Sequence, residues 1–508
     1  MLNQYILGID IGTQSIRVYL FSTKNDIIAY SVSHHFVTIE KPGWATEKPE
    51  SWWKCVKNNI KEVLKKSKVN PKNIIAIGTC AVMHSPVQIS PKGKVIVEDV
   101  QLYSDKRTSE IVENMRNCKN IDMYNNITAN IPAPNWMGVK IKWIKEKMPK
   151  TYEDTYKFIS PKDYINYCLT GEICTDPSEA SGTYLMMFEN DKWSSELTGF
   201  LGIDEDKLPN ICPSSQIIGK ITVKSSEETG LAIGTPVACG GGDMLCSLLA
   251  SGLTKSHLVV DIAATTSVLA LYSSRPIFDK RLMNLRHVLQ GWIPYGTVDA
   301  SGGAFRWVRD VLCKEEIQKA RNSQKNEYDY LTELAQKINH GANKILFLPY
   351  LMGERTMGSQ YSKAVFFGIT QDTTTEHLIR SVMEGVAFES RRILDVFEDY
   401  IHIESILHTA GASRSSFWSQ LKANIYQKPV YTLKVSDTAV LGAALLGAVG
   451  VGVYSSEIEA SEAAVTRDRE FLPDIKEKQR YLDLYEIFKD LHDTLQVSFL
   501  KHSKILHH

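Results

Sequence analysis

The stretch that most constrains the fold is YILGIDIGTQSIRVYLF, residues 5–21. Two apolar, β-favouring runs flank a small polar turn at residues 12–15, and Asp10 stands just before that turn. This pattern predicts two strands joined by a tight turn. Backbone N–H groups in such a turn, beside a carboxylate, suit a phosphate and its metal ion. An ordinary hairpin with a polar turn is the alternative, and this segment alone leaves both open.

A second stretch, HLVVDIAATTSVLAL at residues 257–271, repeats the same design. Its turn, residues 264–267, aligns with residues 12–15, and an apolar run precedes and a β-rich run follows each of them. The repeat is imperfect, because Ala264 stands where Gly12 stands. Two such hairpins predict a duplicated unit that faces one cleft. Strands alternating with helices such as 49–66 and 375–397 predict an α/β architecture.

The main candidate for catalysis is Asp243, which follows three glycines and begins a predicted helix. Asp is a favoured helix N-cap, so a structural role is one interpretation. The other is a general base that takes a proton from a substrate hydroxyl during phosphoryl transfer, because the neighbouring glycines leave room for that hydroxyl. A third small-residue turn, Gly411-Ala412-Ser413, also follows a predicted strand, where ligands of open α/β sheets bind.

A sugar pocket combines an apolar or aromatic wall with a few polar groups at fixed places. Trp44, Met83, His84 and Asp105 lie in loops or just after predicted strands and are candidates for such a pocket. The alternatives for Trp44, His84 and Asp105 are a half-buried tryptophan, a capped loop histidine and a helix cap. Residues 354–355, Glu-Arg, predict an ion pair between domains or inside the cleft.

Composition excludes several classes of protein. The length of 508 residues predicts two to four domains. The 58 basic residues balance the 58 acidic ones, so the net charge does not indicate binding to nucleic acid or to an anionic membrane. The nine cysteines are scattered without a CxxC pair, which indicates reduced thiols in a cytoplasm. Neither a signal peptide nor a membrane span is predicted. The sequence also lacks the GxxxxGK[ST] loop of P-loop nucleotide enzymes and a GxGxxG dinucleotide fingerprint.

Taken in order, the segments of residues 5–453 resemble the FGGY family of carbohydrate kinases. The segments that carry the resemblance are GIDIGTQSIR (8–17), PGWATEKPESWW (42–53), PKDYINYCLTGEICTDPSEASGT (161–183), GTPVACGGGD (234–243), DIAATTS (261–267), LPYLMGERT (348–356), MEGVAFESR (383–391), AGASRSSFWSQ (410–420) and LGAALLGAVGVG (441–452). The resemblance implies two actin-like (ribonuclease-H-like) domains around a central cleft. The expected boundaries are 1–253 for the sugar-binding domain and 254–508 for the ATP-binding domain.

The resemblance also implies an activity: ATP and Mg²⁺ serve to phosphorylate a hydroxyl of a small sugar in the cytoplasm. Asp243 becomes the catalytic base, Asp10 the metal ligand, and Trp44, Met83, His84, Asp105 and Asp243 the sugar contacts. The residues implied for ATP and phosphate are Gly12, Thr13, Gln14, Ser15, Arg17, Ala264, Thr265, Thr266, Gly303, Gly411, Ala412 and Ser413. A homodimer is compatible with this expectation.

Within the family the chain is most like the xylulokinases, which implies a ketopentose such as D-xylulose. Another ketose, a polyol, an aldonate, or a non-catalytic sugar-sensing role stays open. The sequence departs from the family pattern in two regions. The departures near the sugar are Val82, Ser85, Tyr103, Ser104 and Met244, and those near the phosphates are Ala264 and Met357. The first group leaves the identity of the sugar open, and the second affects the rate without removing the base.

Overall fold

Two seven-stranded sheets, one in each half of the chain, organise the fold. The structure is a computed structural model that describes residues 4–434 and 437–505. Across these residues, no helix combines the length and the apolar character that a membrane crossing requires.

In the first half, the described residues from 4 onwards form fifteen strands and ten α-helices. The strands are β1 (Tyr5–Ile11), β2 (Ser15–Ser22), β3 (Ile27–His34), β4 (Thr46–Glu47), β5 (Ile74–Ala81), β6 (Val87–Ile89), β7 (Val100–Gln101), β8 (Lys157–Ile159), β9 (Cys174–Thr175), β10 (Met186–Met187), β11 (Lys192–Trp193), β12 (Asn210–Ile211), β13 (Ile217–Lys220), β14 (Pro236–Ala238) and β15 (Gly241–Gly242). The helices are α1 (Pro49–Ser67), α2 (Ser109–Arg116), α3 (Ile121–Thr128), α4 (Met137–Lys147), α5 (Pro149–Asp154), α6 (Pro161–Thr170), α7 (Pro177–Ser181), α8 (Ser195–Leu201), α9 (Val223–Thr229) and α10 (Asp243–Ala250).

The second half has fewer strands and longer helices. The strands are β16 (Leu258–Ala263), β17 (Ser267–Leu271), β18 (Met283–Arg286), β19 (Trp292–Val298), β20 (Leu346–Leu348), β21 (Val365–Phe367), β22 (Ser405–Thr409), β23 (Val430–Leu433) and β24 (Arg467–Phe471). The helices are α11 (Gly302–Leu312), α12 (Lys314–Asn322), α13 (Glu327–Gln336), α14 (Thr375–Glu398), α15 (Ser416–Tyr426), α16 (Thr438–Gly450), α17 (Glu457–Ala464) and α18 (Lys478–Ser503).

The two sheets share one pattern of strand pairing. The first has the order β13-β14-β5-β1-β2-β3, and its seventh strand, β15, also pairs with β5. Its hairpin β1-β2 is antiparallel, and β1 pairs in parallel with β5. In the second, ordered β18-β19-β17-β16-β22-β23-β24, the hairpin β16-β17 is antiparallel and β16 pairs in parallel with β22. The predicted repeat of the opening hairpin is therefore confirmed. Most apolar residues of each hairpin are buried, which fits strands covered on both faces of the sheet.

Helix α16 belongs to the second half of the sequence but packs on strands β1 and β5 of the first sheet. Its small residues allow backbone to touch backbone. A Cβ atom on Gly78 of β5 would overlap the carbonyl of Ala443, and one on Gly442 would overlap the carbonyl of Cys246 in α10. The small, apolar composition of this segment fits that close approach. The boundary at residues 253 and 254 stays a prediction, since α16 reaches back across it.

Candidate active site

The first turn, Gly12–Ser15, is held from two directions. The amide of Gly12 donates to the carbonyl of Ser15 over 3.0 Å. From the chain that follows β3, Nε2 of His35 donates to the carbonyl of Gly12 over 2.8 Å, and the amide of His35 donates to the carbonyl of Gln14 over 3.3 Å. Thr13 and Gln14 lie between these anchors. The turn is therefore fixed in shape before any ligand arrives.

Asp10 lies at the end of β1, directly before this turn, and is buried. Its Oδ2 accepts from Nη1 of Arg17 over 3.1 Å, and its Oδ1 accepts from the thiol of Cys80 over 3.5 Å. Burial raises the pKa of Asp10, and the Arg17 guanidinium partly offsets this effect. The strand register places Arg17 opposite Asp10, which explains why these two residues form a pair.

The second turn, Ala264–Ser267, has its own internal bond, from the amide of Ala264 to the carbonyl of Thr266 over 3.0 Å. The start of α11 is docked against it. The amides of Gly302 and Gly303 donate over 2.9 Å to the carbonyls of Ala264 and Thr265. At Gly302 a Cβ atom would lie 2.5 Å from the carbonyl oxygen of Ala264, so only glycine fits there. Gly303 is one of the residues that the resemblance implies for ATP and phosphate. In the structure its amide donates to the turn.

The third turn, residues 411–413, follows β22. Ala410 adopts a φ of +65°, and the chain then makes one 3₁₀ turn from Gly411 to Arg414. The hydroxyl of Ser413 donates to the carbonyl of Ala410 over 2.7 Å. Among the residues that the structure describes, no other group lies within 4 Å of the space that a Cβ on Gly411 would occupy. This turn is therefore open on the side of Gly411.

Asp243 is the first residue of α10, and Gly242 occupies the N-cap position. The N-cap interpretation of Asp243 is therefore wrong. Its half-buried carboxylate accepts from the amide of Met244 over 2.7 Å. Burial, helped by the negative charge of Asp10, raises the pKa of Asp243 to about 7. The structure thus brings the two carboxylates of the predicted site into electrostatic contact.

A buried network holds the glycine loop, Gly240–Gly242, which presents Asp243. At the C-terminal end of the loop, the amide of Gly242 donates to Oγ of Ser178 over 2.9 Å. Ser178 donates in turn to Oδ2 of Asp176 over 2.6 Å, and Ser214 donates to the same oxygen over 2.8 Å. Sequence reasoning missed this network. Its signal is the run Thr-Asp-Pro-Ser inside residues 161–183, where an Asp N-cap precedes a Pro-initiated helix.

Lys162 extends this network to Cys239, the residue before the glycine loop. Its ammonium group is fully buried and donates to Oδ1 of Asp163 over 2.6 Å and to the carbonyl of Cys239 over 2.9 Å, and it lies 3.4 Å from Oδ1 of Asp176. Burial opposes its charge, but the surrounding carboxylates hold the pKa of Lys162 well above its usual value. Asn166 donates to the same carbonyl of Cys239 over 2.8 Å. Both ends of the glycine loop are thereby fixed.

The sugar candidates fall into two groups. In one, Asp105 is buried and accepts two bonds from the guanidinium of Arg107, at 2.9 and 2.7 Å, and one from its amide at 3.0 Å. The amide of Ala45 donates to Asp105 as well, over 2.7 Å. The Arg107 guanidinium lies 3.8 Å from the ring centre of Trp44. Asp105 is therefore neither a helix cap nor free, since α2 begins only at Ser109. Trp44, Arg107 and Asp105 form one stacked unit.

The other group lies against the glycine loop. A Cβ on Gly242 would lie 2.5 Å from the sulfur of Met83. Next to it, Nδ1 of His84 donates to the carbonyl of Gly182 over 2.8 Å, and Lys140 donates to the carbonyl of His84 over 2.9 Å. Burial, with the Lys140 charge, lowers the pKa of His84 to about 3, so its imidazole is neutral.

The predicted ion pair between Glu354 and Arg355 is wrong. Glu354 accepts from Nε2 of His492 over 3.1 Å, whereas Arg355 pairs with Asp299 over 2.7 Å. Neighbouring side chains in a loop point in different directions, so each finds its own partner. The charge of Arg355 also contributes to lowering the pKa of His84. Arg355 thus brings a positive charge from the second half of the chain towards the sugar candidates, which sequence reasoning missed.

Comparison with known proteins gives one family. Residues 5–250 match the N-terminal domain, and residues 262–451 the C-terminal domain, of the FGGY family of carbohydrate kinases. Xylulose kinase from Staphylococcus xylosus is 28% identical over 501 residues, which cover 96% of this chain and 100% of that protein. Glycerol kinase from Thermococcus gammatolerans is also 28% identical, over 94% of this chain and 95% of that protein.

Solved structures agree with the sequence comparison. The crystal structure of xylulose kinase from Rhodospirillum rubrum superimposes with a TM-score of 0.89 at 26% identity and covers 98% of this chain and 100% of its own. The expectation of two actin-like domains is confirmed by this likeness. From its sequence, its fold and these matches, the chain belongs to the FGGY family of carbohydrate kinases.

Proposed function

We propose that this carbohydrate kinase transfers the γ-phosphoryl group of ATP to a primary hydroxyl of a ketopentose, with D-xylulose as the substrate. The observation that carries the proposal is the environment of Asp243. Its half-buried carboxylate has a pKa raised to about 7, stands at the start of α10, and lies beside a loop of three glycines. A base whose pKa is close to the working pH accepts a proton efficiently and is still ionised often enough to act.

In this proposal Asp243 orients the sugar hydroxyl and takes its proton as the phosphoryl group arrives. The amides of the first and second turns lie around the transferring phosphoryl group. No covalent enzyme intermediate is needed, because positioning and charge stabilisation account for the rate of such transfers. The rigid support of the glycine loop by Ser178 and Lys162 fits a base that must be aimed at one oxygen.

Magnesium fits the residues present. Mg²⁺ is typically bound through one or two carboxylates together with substrate phosphates and water, and Asp10 offers one buried carboxylate beside the first turn. In the part of the chain that the structure describes, no group of three or more His, Cys, Asp or Glu side chains is arranged to hold a metal by itself. We therefore assign Asp10 as the protein ligand of Mg²⁺, which when bound neutralises phosphate charge.

In this proposal the two sides of the cleft bind different substrates. Residues 1–253 supply the sugar contacts, namely the unit of Trp44, Arg107 and Asp105 and the pair Met83-His84. Residues 254–508 supply the ATP contacts through the second and third turns. The choice of a ketopentose rests on the xylulose kinases among the relatives. Glycerol is the second candidate, because a glycerol kinase matches the chain at the same identity.

A substrate panel tests the proposal. ADP release is measured at saturating MgATP with D-xylulose, other ketoses, glycerol and gluconate. We expect the largest kcat/KM with D-xylulose and a kcat lower by about 10²–10⁴-fold for the Asp243→Asn variant. Highest efficiency with glycerol would replace the sugar assignment. Tight sugar binding without ADP release from any acceptor would overturn the catalytic function and favour a sugar-sensing one.

A further inference from the structure

The side chain of His35 lies between the first turn and strand β4. Its Nε2 donates to the carbonyl of Gly12 over 2.8 Å, and its Nδ1 lies 3.1 Å from Oε2 of Glu47. The side chains of His35 and Glu47 are only 8% and 2% exposed. The buried indole of Trp52, in α1, donates to the same oxygen of Glu47 over 2.5 Å. His35 therefore links the turn to a carboxylate that α1 holds in place.

The partners of the two ring nitrogens determine where His35 carries its protons. A backbone carbonyl can only accept, so the nitrogen that faces Gly12 has to hold a proton. Oε2 of Glu47 accepts from Trp52, so it is an acceptor towards Nδ1 of His35 as well. Burial opposes a charge on the ring, but Glu47 and the Gly12 carbonyl outweigh burial and raise the pKa of His35. The donor on which the turn depends is therefore kept in place by both neighbours.

The bond from His35 also sets the direction of the next amide. The peptide bond between Gly12 and Thr13 is trans, so its carbonyl oxygen and its amide proton point to opposite sides. Because His35 holds the carbonyl of Gly12, the N–H of Thr13 points away from His35. In the described part of the chain no acceptor bonds to this amide, whereas the amide of Gly12 is already bonded to Ser15. The amide of Thr13 is thus an oriented donor that a ligand can use.

We propose that His35 is a positioning residue for phosphoryl transfer, which aims the amide of Thr13 at the transferring phosphoryl group. This inference rests on the proposed function, in which the first turn binds phosphate. A backbone donor contributes most where charge develops in the transition state, and its direction has to be set before the reaction. Glu47 contributes indirectly, since it holds the ring that holds the turn.

Two substitutions at position 35 separate the hydrogen bond from the rest of the side chain. His35→Leu removes the donor to the carbonyl of Gly12, whereas His35→Gln offers a side-chain N–H that can replace it. We expect kcat of His35→Leu to fall about tenfold. Complete removal of such a donor typically costs 10²–10³-fold, but here the Thr13 amide stays and only loses its direction. His35→Gln should retain most of kcat, and the KM values for ATP and sugar should change little in both variants.

A second measurement reads the turn directly and does not depend on turnover. In protein labelled with ¹⁵N-threonine, the amide signal of Thr13 is assigned through a Thr13→Ser variant and followed while MgATP is added. We expect the amide proton to move downfield in the wild-type protein and in His35→Gln, because a phosphate oxygen accepts its hydrogen bond. In His35→Leu it should move much less. If no acceptor leads to ADP release but the Thr13 signal responds in this way, the proposed function fails and the aimed amide stands.

His34→Leu is the matched control, because His34 is the exposed neighbour of His35 in the chain. It should keep the kcat and the Thr13 response of the wild-type protein. A melting curve checks that each variant folds, since His35→Leu leaves the buried carboxylate of Glu47 without its partner. If His35→Leu does not fold, the Thr13 signal of the wild-type protein decides alone.

Three results would overturn the proposal. The first is a wild-type kcat in folded His35→Leu, and the second is an equal loss of kcat in His35→Leu and His35→Gln. The third is a Thr13 amide signal that MgATP does not move in the wild-type protein.

Discussion

The backbone amide of Gly242 donates a hydrogen bond of 2.9 Å to Oγ of Ser178, one residue before the proposed base Asp243. Ser178 is fixed in turn by Asp176, beside which lies the buried ammonium group of Lys162. The hydroxyl of Ser178 bonds to the Gly242 amide and to Asp176, and not to Asp243 itself. The direction in which the Asp243 carboxylate points therefore depends on Ser178 through the backbone. Ser178 is a positioning residue in this interpretation.

Replacing Ser178 by alanine removes the acceptor of the Gly242 amide and leaves that buried N–H without its partner. We expect the Ser178→Ala variant to lose about tenfold in kcat, the equivalent of one hydrogen bond of roughly 1.4 kcal/mol. The KM values for sugar and ATP should change little, because both binding surfaces stay intact. Steady-state kinetics with both substrates varied measures this split.

Ser214→Ala is the matched control for that variant. Ser214 donates to the same oxygen of Asp176 over 2.8 Å, but its hydroxyl does not bond to the glycine loop. Its removal should cost stability without a comparable loss of kcat. If both variants slow turnover equally, the effect belongs to the whole buried network and the specific role of Ser178 is wrong.

Asp243→Asn keeps the shape of the side chain and removes its capacity to accept a proton. General-base contributions are typically 10²–10⁴-fold, so we expect kcat to fall by about that factor while thermal unfolding changes little. Sugar-dependent ADP release and a melting curve are the two measurements. Turnover at the wild-type rate in a folded Asp243→Asn protein would remove this residue from the mechanism.

The pH dependence of activity follows from the raised pKa of Asp243. The base acts when ionised, so kcat/KM should fall about tenfold per pH unit below a midpoint near 7. The Asp10 charge contributes to that high value, because it disfavours a second negative charge nearby. In the protein without Mg²⁺, Asp10→Asn removes that repulsion, so the pKa of Asp243 should fall, and a pH titration of its carboxyl NMR signal measures this change. A pKa of Asp243 that is unchanged or higher in Asp10→Asn would contradict the coupling of the two carboxylates.

Gly78→Ala tests the contact between β5 and α16. The new Cβ would collide with the carbonyl of Ala443, and backbone on both sides leaves little room to adjust. We expect a loss of about 1–3 kcal/mol in the free energy of unfolding, as for other overpacked sites. Denaturant titration measures it, and the activity of any folded fraction reports on the cleft.

The same substitution at Gly199 supplies the control. Gly199 lies in α8 and is exposed, and no other group of residues 4–434 and 437–505 lies within 4 Å of the space for a Cβ. Since alanine is a better helix former by up to about 1 kcal/mol, Gly199→Ala should leave stability unchanged or raise it. A similar loss in both variants would show that the crowding at Gly78 is not the cause.

The features of the fold that depend on a local sequence pattern could be predicted from the sequence. The two hairpins were predictable because alternating apolar runs and a small-residue turn are properties of one short stretch, and the glycines before Asp243 marked a loop for the same reason. What depends on distant partners was not predictable. Arg355 pairs with Asp299 instead of Glu354, and Lys162 reaches the carbonyl of Cys239. Neither choice leaves a periodic signal, because each is decided by how separate strands and helices come together.

The backbone contact of α16 with β5 has a consequence for motion. Two halves that touch through main-chain atoms at Gly78 and Ala443 cannot slide past each other there without collision. Any closing of the cleft must therefore rotate about that point, with displacements that grow with distance from it. The second and third turns, carried by the other sheet, would travel as one body towards an Asp243 that stays close to the axis. In such a geometry the proposed base is stationary, and a phosphate donor bound at these turns is delivered to it.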